Sequence, residues 1–153
     1  MNPPLATLLH DVRQCTLCKD HLEPRPVVVA AAEARILIIG QAPGRKVHES
    51  GIPWNDASGQ RLRQWLDVDE KTFYDPTRFA IVPMGFCYPG KGKQGDLPPR
   101  PECAATWHQP ILQHLPNIQL TLLIGQYAQR YYLNDSHKTL TARLQALHSQ
   151  AVL

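Results

Sequence analysis

Three short apolar runs, each closed by glycine or proline, set the rhythm of this chain. RILIIG (35–40) is a continuous run, the pattern of a strand covered on both faces, and RFAIVPM (78–84) and IQLTLLIG (118–125) read as a second strand and a third buried one. Between them, apolar positions recur at helical spacing. Residues 4–14 place Leu5, Leu8, Leu9 and Val12 on one side of a helix ending near Cys15. DASGQRLRQWLDV (56–68) sets Leu62, Trp65 and Leu66 on one side of a second, with Asp56 or Ser58 as its cap. PECAATWHQPILQHL opens a third helix with Pro101 in its first turn, QYAQRYYL begins a fourth, and KTLTARLQALHS supplies another. RPVVVAAAEA reads as an extended or irregular lead-in.

Strand followed by helix, three times over, predicts a single α/β domain spanning residues 1–153, with a parallel sheet. Open sheets of this kind bind ligands beyond the carboxyl ends of their strands. The turns after Gly40, Met84 and Gly125 share that edge. GFCYPGKGKQGDLPPRP (85–101) is a long Gly/Pro/Lys loop, and loops of this length inside a compact domain tend to carry function.

Composition narrows the class. Of 153 residues, 43% are apolar and 19% charged, which suits one packed core and argues against disorder. A net charge of +3 permits a polyanionic partner without requiring one. No apolar segment approaches the roughly 18–20 residues that span a bilayer, so no membrane partner is expected. MNPPLATLLHDVRQC lacks a basic start, an apolar core and a small-residue cleavage site, so no signal peptide is read. The expected location is cytoplasmic, where four cysteines point to metal ligands before disulfides.

Cys15 and Cys18 form a C-x2-C pair, and Cys87 and Cys103 bracket the long loop. A C-x2-C turn aims two thiolates at one centre, and two further cysteines can complete a set of four. All four flank Pro/Gly-rich loops rather than apolar strands, which favours a metal site over buried free thiols. Spacing alone leaves zinc and iron–sulfur open, because both accept four thiolates.

GQAPG after the first strand, C-x2-C upstream, Cys87 and Cys103 downstream, GIPWNDASGQRLRQWL, PMGFCYPGKGK and LLIGQYA together resemble the iron–sulfur type, family 4, of the uracil-DNA glycosylase superfamily. The resemblance covers almost the whole chain. It implies a three-layer α/β/α fold with a central parallel sheet, and a [4Fe-4S] cluster on Cys15, Cys18, Cys87 and Cys103, zinc being the alternative. It implies DNA base-excision repair: hydrolysis of the N-glycosidic bond of uracil or another deaminated base, by a monomer acting on damaged DNA. The base is turned out of the stack into a pocket. Gly40, Gln41, Ala42, Pro43 and Gly44 form the motif that cradles it, Gln41 through its backbone. Ala42 stands where some members keep a water-activating Asp, and Gly44 where others carry a Tyr that excludes the thymine methyl. Trp54 matches the aromatic that stacks on the base, and Ser58 and Gly59 match the following helix start.

The chain also departs from the pattern. Pro83 stands where the family places an edge-reading Asn. Asn55 and Asp56 can supply an amide and a water-positioning carboxylate instead, with helix capping as their other reading. His48 and Glu49, in RKVHES, are expected in a solvated loop. The family's fourth strand and His-Pro-Ser-Pro-Arg-like motif have no counterpart, since the chain stops at LHSQAVL and no Pro-Ser-Pro follows His148. A missing C-terminal strand predicts weak activity or none for this chain. Arg45, Lys46, Lys91, Lys93 and Arg100 are expected to form a basic rim on the DNA backbone. Two other readings remain: a lesion-binding protein of the same fold without catalysis, and a zinc-stapled structural domain.

Overall fold

The computed structural model describes residues 4–133. The helix expected over KTLTARLQALHS, His148 and the C-terminal stretch where a fourth strand was expected to be lacking lie outside the described residues. Three parallel strands form the central sheet, β1 (Ile36–Ile39), β2 (Phe79–Ile81) and β5 (Leu120–Leu123), in the order β2-β1-β5. Ile36 pairs with Phe79 on one side and with Leu120 on the other. The outer edge of β2 is bridged antiparallel by Val29, whose N–H donates to Ile81 O at 3.0 Å and whose carbonyl accepts from Ile81 N at 2.7 Å. The lead-in segment therefore shields one sheet edge.

Side chains alternate between two apolar layers, which is why the strand runs are almost wholly apolar, Thr121 being the exception. Leu37, Ile39, Ala80, Val82 and Leu123 face one core, shared with Leu8, Leu9 and Val12 of α1 (Leu5–Arg13). Ile38, Phe79, Ile81 and Leu122 face the other, against Leu62 of α3 (Ala57–Leu66) and Phe73 of α4 (Glu70–Phe73). Helices thus cover both faces, and the α/β/α expectation stands.

Three sequence expectations need correction. RKVHES is not a loop but a short helix, α2 (Arg45–Ser50), anchored by buried Val47 and ended by Gly51 at φ 74°. On α3 the buried stripe runs through Gly59, Leu62 and Arg63, while Trp65 is 66% exposed. At about 100° per residue, Gly59, Leu62, Arg63 and Leu66 share a face, and Trp65 falls to one side of it. The helix after Pro101 is not uniform either. It starts as α5 (Pro101–Cys103), widens into a π-helical segment over Ala104–His108, and resumes as α6 (Gln109–Leu112). Pro110 lacks an N–H, and its ring would clash with the carbonyl one turn back, so the wider segment relieves that contact.

The loop over 85–101 holds a small antiparallel hairpin, β3 (Lys91–Gly92) and β4 (Gly95–Asp96). Leu97 N donates to Gly90 O at 2.8 Å across its base. Gly90 and Gly95 both take φ 101°, where other residues are strained. The last described helix is α7 (Gln126–Leu133), following Gly125 at φ 92°.

Candidate functional site

A cavity of about 350 Å3 opens at the carboxyl edge of the sheet, at the small end of the range typical of small-molecule sites. Its floor is the strand exits: Gly40 through Gly44 after β1, Pro83 after β2, and Ile124 with Gly125 after β5. Trp54, Asp56 and Ser58 come from the segment entering α3, and Asp96 and Leu97 from the hairpin. The structure therefore gathers Gly40, Gln41, Ala42, Pro43, Gly44, Trp54 and Asp56 as expected. Asn55 does not line the cavity and is exposed.

The turn after β1 is rigid and carries spare donors. Met84 N donates to Gly40 O and Gly85 N to Gln41 O, both at 2.9 Å, so the turn stays tied to the chain leaving β2. Among the described residues, no backbone carbonyl accepts from the N–H groups of Gln41, Ala42 or Gly44. Amides without a backbone acceptor beside a largely apolar cavity are available to an acceptor on a ligand.

Trp54 is held in a conformation its own chemistry disfavours. Its φ is 58°, in the left-handed region, which costs a bulky residue about 1–3 kcal/mol. The surroundings impose it. Arg63, only 7% exposed, donates from Nη1 to the Trp54 carbonyl at 3.1 Å and to the Tyr74 hydroxyl at 3.2 Å. Tyr74 in turn donates to Pro53 O at 2.8 Å. The guanidinium also lies 5.2 Å from the Phe73 ring centroid and 5.6 Å from that of Tyr74. Glycines admit the approach from two sides. A Cβ on Gly40 would meet the indole Cζ2 at 2.9 Å, and one on Gly59 the Trp54 carbonyl oxygen at 1.7 Å.

Asp56 caps α3, accepting from Gly59 N at 2.9 Å through Oδ1. Capping was one of its two expected readings. The basic residues divide. Lys46, Lys91 and Lys93 are exposed, Lys46 on α2 and the other two at the hairpin. Arg45 forms an exposed pair with Glu49 at 3.0 Å, a contact worth little. Arg100 lines no part of the cavity and pairs with Glu102 at 2.9 Å beside Cys18.

Cys15, Cys18, Cys87 and Cys103 line one small recess together with Leu17, Leu22, Phe86 and Arg100. None is disulfide-bonded. Burial pushes the thiols of Cys18, Cys87 and Cys103 up to about 11, and Cys18 donates to Glu102 Oε2 at 3.2 Å. Among the described residues, no three His, Cys, Asp or Glu side chains stand in the arrangement that grips a metal ion. In chemistry, though not in arrangement, the donor set is of the kind that binds such a centre: four free thiols, drawn from three distant segments, line a single apolar recess.

Behind the cavity, buried His108 braces Pro83. Its Nε2 lies 2.7 Å from Pro83 O, which can only accept, so Nε2 carries the proton and Nδ1 accepts from the Tyr132 hydroxyl. Burial holds this imidazole below its ordinary value of 6.5. A histidine kept neutral in the fold binds fewer protons there than in the unfolded chain. Its contribution is therefore present above pH 6.5 and declines as pH falls through and below it. The expected result is a urea midpoint that drops more between pH 7 and pH 5 in the wild type than in His108→Gln, a window taken from that ordinary value; parallel curves would exclude it. Neither this brace nor Arg63, Tyr74 and Asp96 was singled out from the sequence.

The family comparison agrees with the architecture: a model described as the uracil DNA glycosylase superfamily matches residues 26–152.

Proposed function

The chain belongs to the uracil DNA glycosylase superfamily, and on that premise we propose that it excises uracil or a related deaminated base from DNA by hydrolysing the N-glycosidic bond. The observation that carries the proposal is the cavity at the strand ends, where the amides of Gln41, Ala42 and Gly44, with no backbone acceptor among the described residues, stand beside a wall containing Trp54. A base inside a duplex is out of reach, so it must leave the stack and enter a pocket that reads it by hydrogen bonds and stacking. Trp54 supplies the aromatic wall. The fixed N–H groups meet a carbonyl oxygen of the base and stabilise the negative charge it gains as the bond breaks. Fixed donors serve this better than mobile side chains because they need no reorganisation. Lys46, Lys91 and Lys93 neutralise phosphates at the rim.

Pro83 and Ala42 offer no side-chain amide or acid to the pocket. Base choice then rests on carbonyls meeting backbone donors, which uracil, hypoxanthine and xanthine all offer, and on the weakened pairing that lets a deaminated base leave the stack where a normal one stays. The test is base release from duplexes carrying each of the three, with the full 153-residue chain. Weak release from at least one, and none from an undamaged duplex, is expected. The same two residues favour the second reading, a protein that binds lesions without cleaving them. Tight, salt-dependent binding to all three duplexes with no product would select that reading.

Cys15, Cys18, Cys87 and Cys103 hold the proposed [4Fe-4S] cluster, which acts as a structural clamp, with zinc as the alternative. The three raised thiols must lose their protons to any such centre. Arg100 beside Cys18 offsets the resulting negative charge. Broad visible absorbance with iron and sulfide in the purified protein supports the cluster; a colourless, zinc-containing protein supports zinc.

A further inference from the structure

We infer that Asp96 is the carboxylate that takes the proton from the water attacking the sugar, an inference that rests on the glycosylase reading above. Hydrolysis needs a proton acceptor for water, and two carboxylates line the cavity, Asp56 and Asp96. Asp56 is engaged as the cap of α3 through its 2.9 Å bond from Gly59 N. Asp96, among the described residues, has no hydrogen bond or ion pair to its side chain. Its Oδ2 lies 3.8 Å from where a Cβ on Gly44 would stand, so it hangs over the end of the donor turn.

Its depth matters as much as its chemistry. Asp96 is exposed, which places it at the mouth, where solvent arrives. A base drawn into the cavity leaves its deoxyribose at that mouth, because the sugar stays joined to the DNA backbone. Lys91 and Lys93, near it on the same hairpin, are placed for the flanking phosphates. The hairpin is tightly closed on itself: Leu97 N bonds Gly90 O at 2.8 Å, and a Cβ on Gly92 would strike Leu97 Cδ2 at 2.9 Å.

The reaction balances with these groups alone. Water oxygen bonds to C1′ of the deoxyribose. The C1′–N bond breaks, and its electron pair leaves with the base. Asp96 receives the proton released by the water and returns it to solvent, while the departing base anion takes up a proton from solvent. Before the proton moves, the negative carboxylate also favours the positive charge that builds on the sugar.

The experiment is single-turnover base release by Asp96→Asn on whichever duplex the wild type cleaves, with DNA affinity measured alongside. The expected result is a rate about 100- to 1,000-fold lower with affinity changed by less than about threefold, and partial recovery of Asp96→Ala by added formate. Wild-type release by Asp96→Asn overturns the inference alone. So does a loss confined to affinity, which would make Asp96 a binding group, or a changed base preference at undiminished rate, which would make it an edge reader. A wild-type chain that releases no base from any duplex overturns the glycosylase reading, and this inference with it.

Discussion

Gly59→Ala is expected to lower unfolding stability by about 3 kcal/mol or more and to slow base release by about 100-fold. Alanine is the better helix former, by about 1 kcal/mol in a helix interior, so on propensity alone the change stabilises. Contact geometry decides otherwise. The new Cβ would sit 1.7 Å from the Trp54 carbonyl oxygen, 2.6 Å from its carbonyl carbon and 2.9 Å from its Cβ. Two of those atoms are backbone, so no rotamer change relieves them. Either α3 retreats from Trp54 or Trp54 leaves its left-handed conformation. Both break the bond from Arg63 Nη1 to the Trp54 carbonyl and carry the indole away from the cavity wall. Gln60→Ala, next door but exposed, is the control and should stay within about 0.5 kcal/mol of the wild type. Chemical denaturation and single-turnover release check the pair. A Gly59→Ala protein with wild-type midpoint and rate would show that the close approach does not exist in solution.

This clamp also marks where the sequence stopped being readable. The strands at 36–39 and 79–81 were legible because they are apolar on both faces, the one at 120–123 because its leucines run on to Ile124 despite Thr121, and glycine or proline ends each run. The cavity followed from them, since parallel strands deliver their carboxyl ends to one edge. The stacking role proposed for Trp54 comes only from a resemblance, and its strained backbone was not legible at all, because nothing local requires it. Arg63 looks like an ordinary solvated position on a polar helix. Its burial comes from Phe73 and Tyr74, which the chain brings back against α3 after a turn. The exposed Trp65 is the same error seen from the other side: hydrophobicity was taken as a guide to burial on a helix whose inner face is partly glycine and arginine. Asp96 was hidden for a third reason. A two-residue strand pair has no periodicity to detect, and only the folded hairpin brings it over Gly44.

Serine in place of Cys103 is expected to abolish cooperative folding, or to cost more than about 4 kcal/mol, and Cys15→Ser is expected to do the same. A loss at Cys103 by itself does not separate a shared centre from simple burial. It is 8% exposed, accepts from Phe86 N at 3.4 Å and packs in the larger apolar core. A buried hydroxyl there costs about 1–3 kcal/mol with no metal involved. Cys15 supplies the discrimination. It is only half-buried, and as an isolated thiol its replacement by serine should matter by less than about 0.5 kcal/mol. If the four thiolates hold one centre, the binding free energy belongs to folding, and losing any ligand forfeits much of it. The segments at 15–18, 87 and 103 are then released together, and with them the loop that carries Asp96 to the cavity. Equal, large losses at the two positions, with visible absorbance lost in both variants, are the expected result. A small loss at Cys15 beside a moderate one at Cys103 would mean that the thiols act separately and that no shared centre holds the recess.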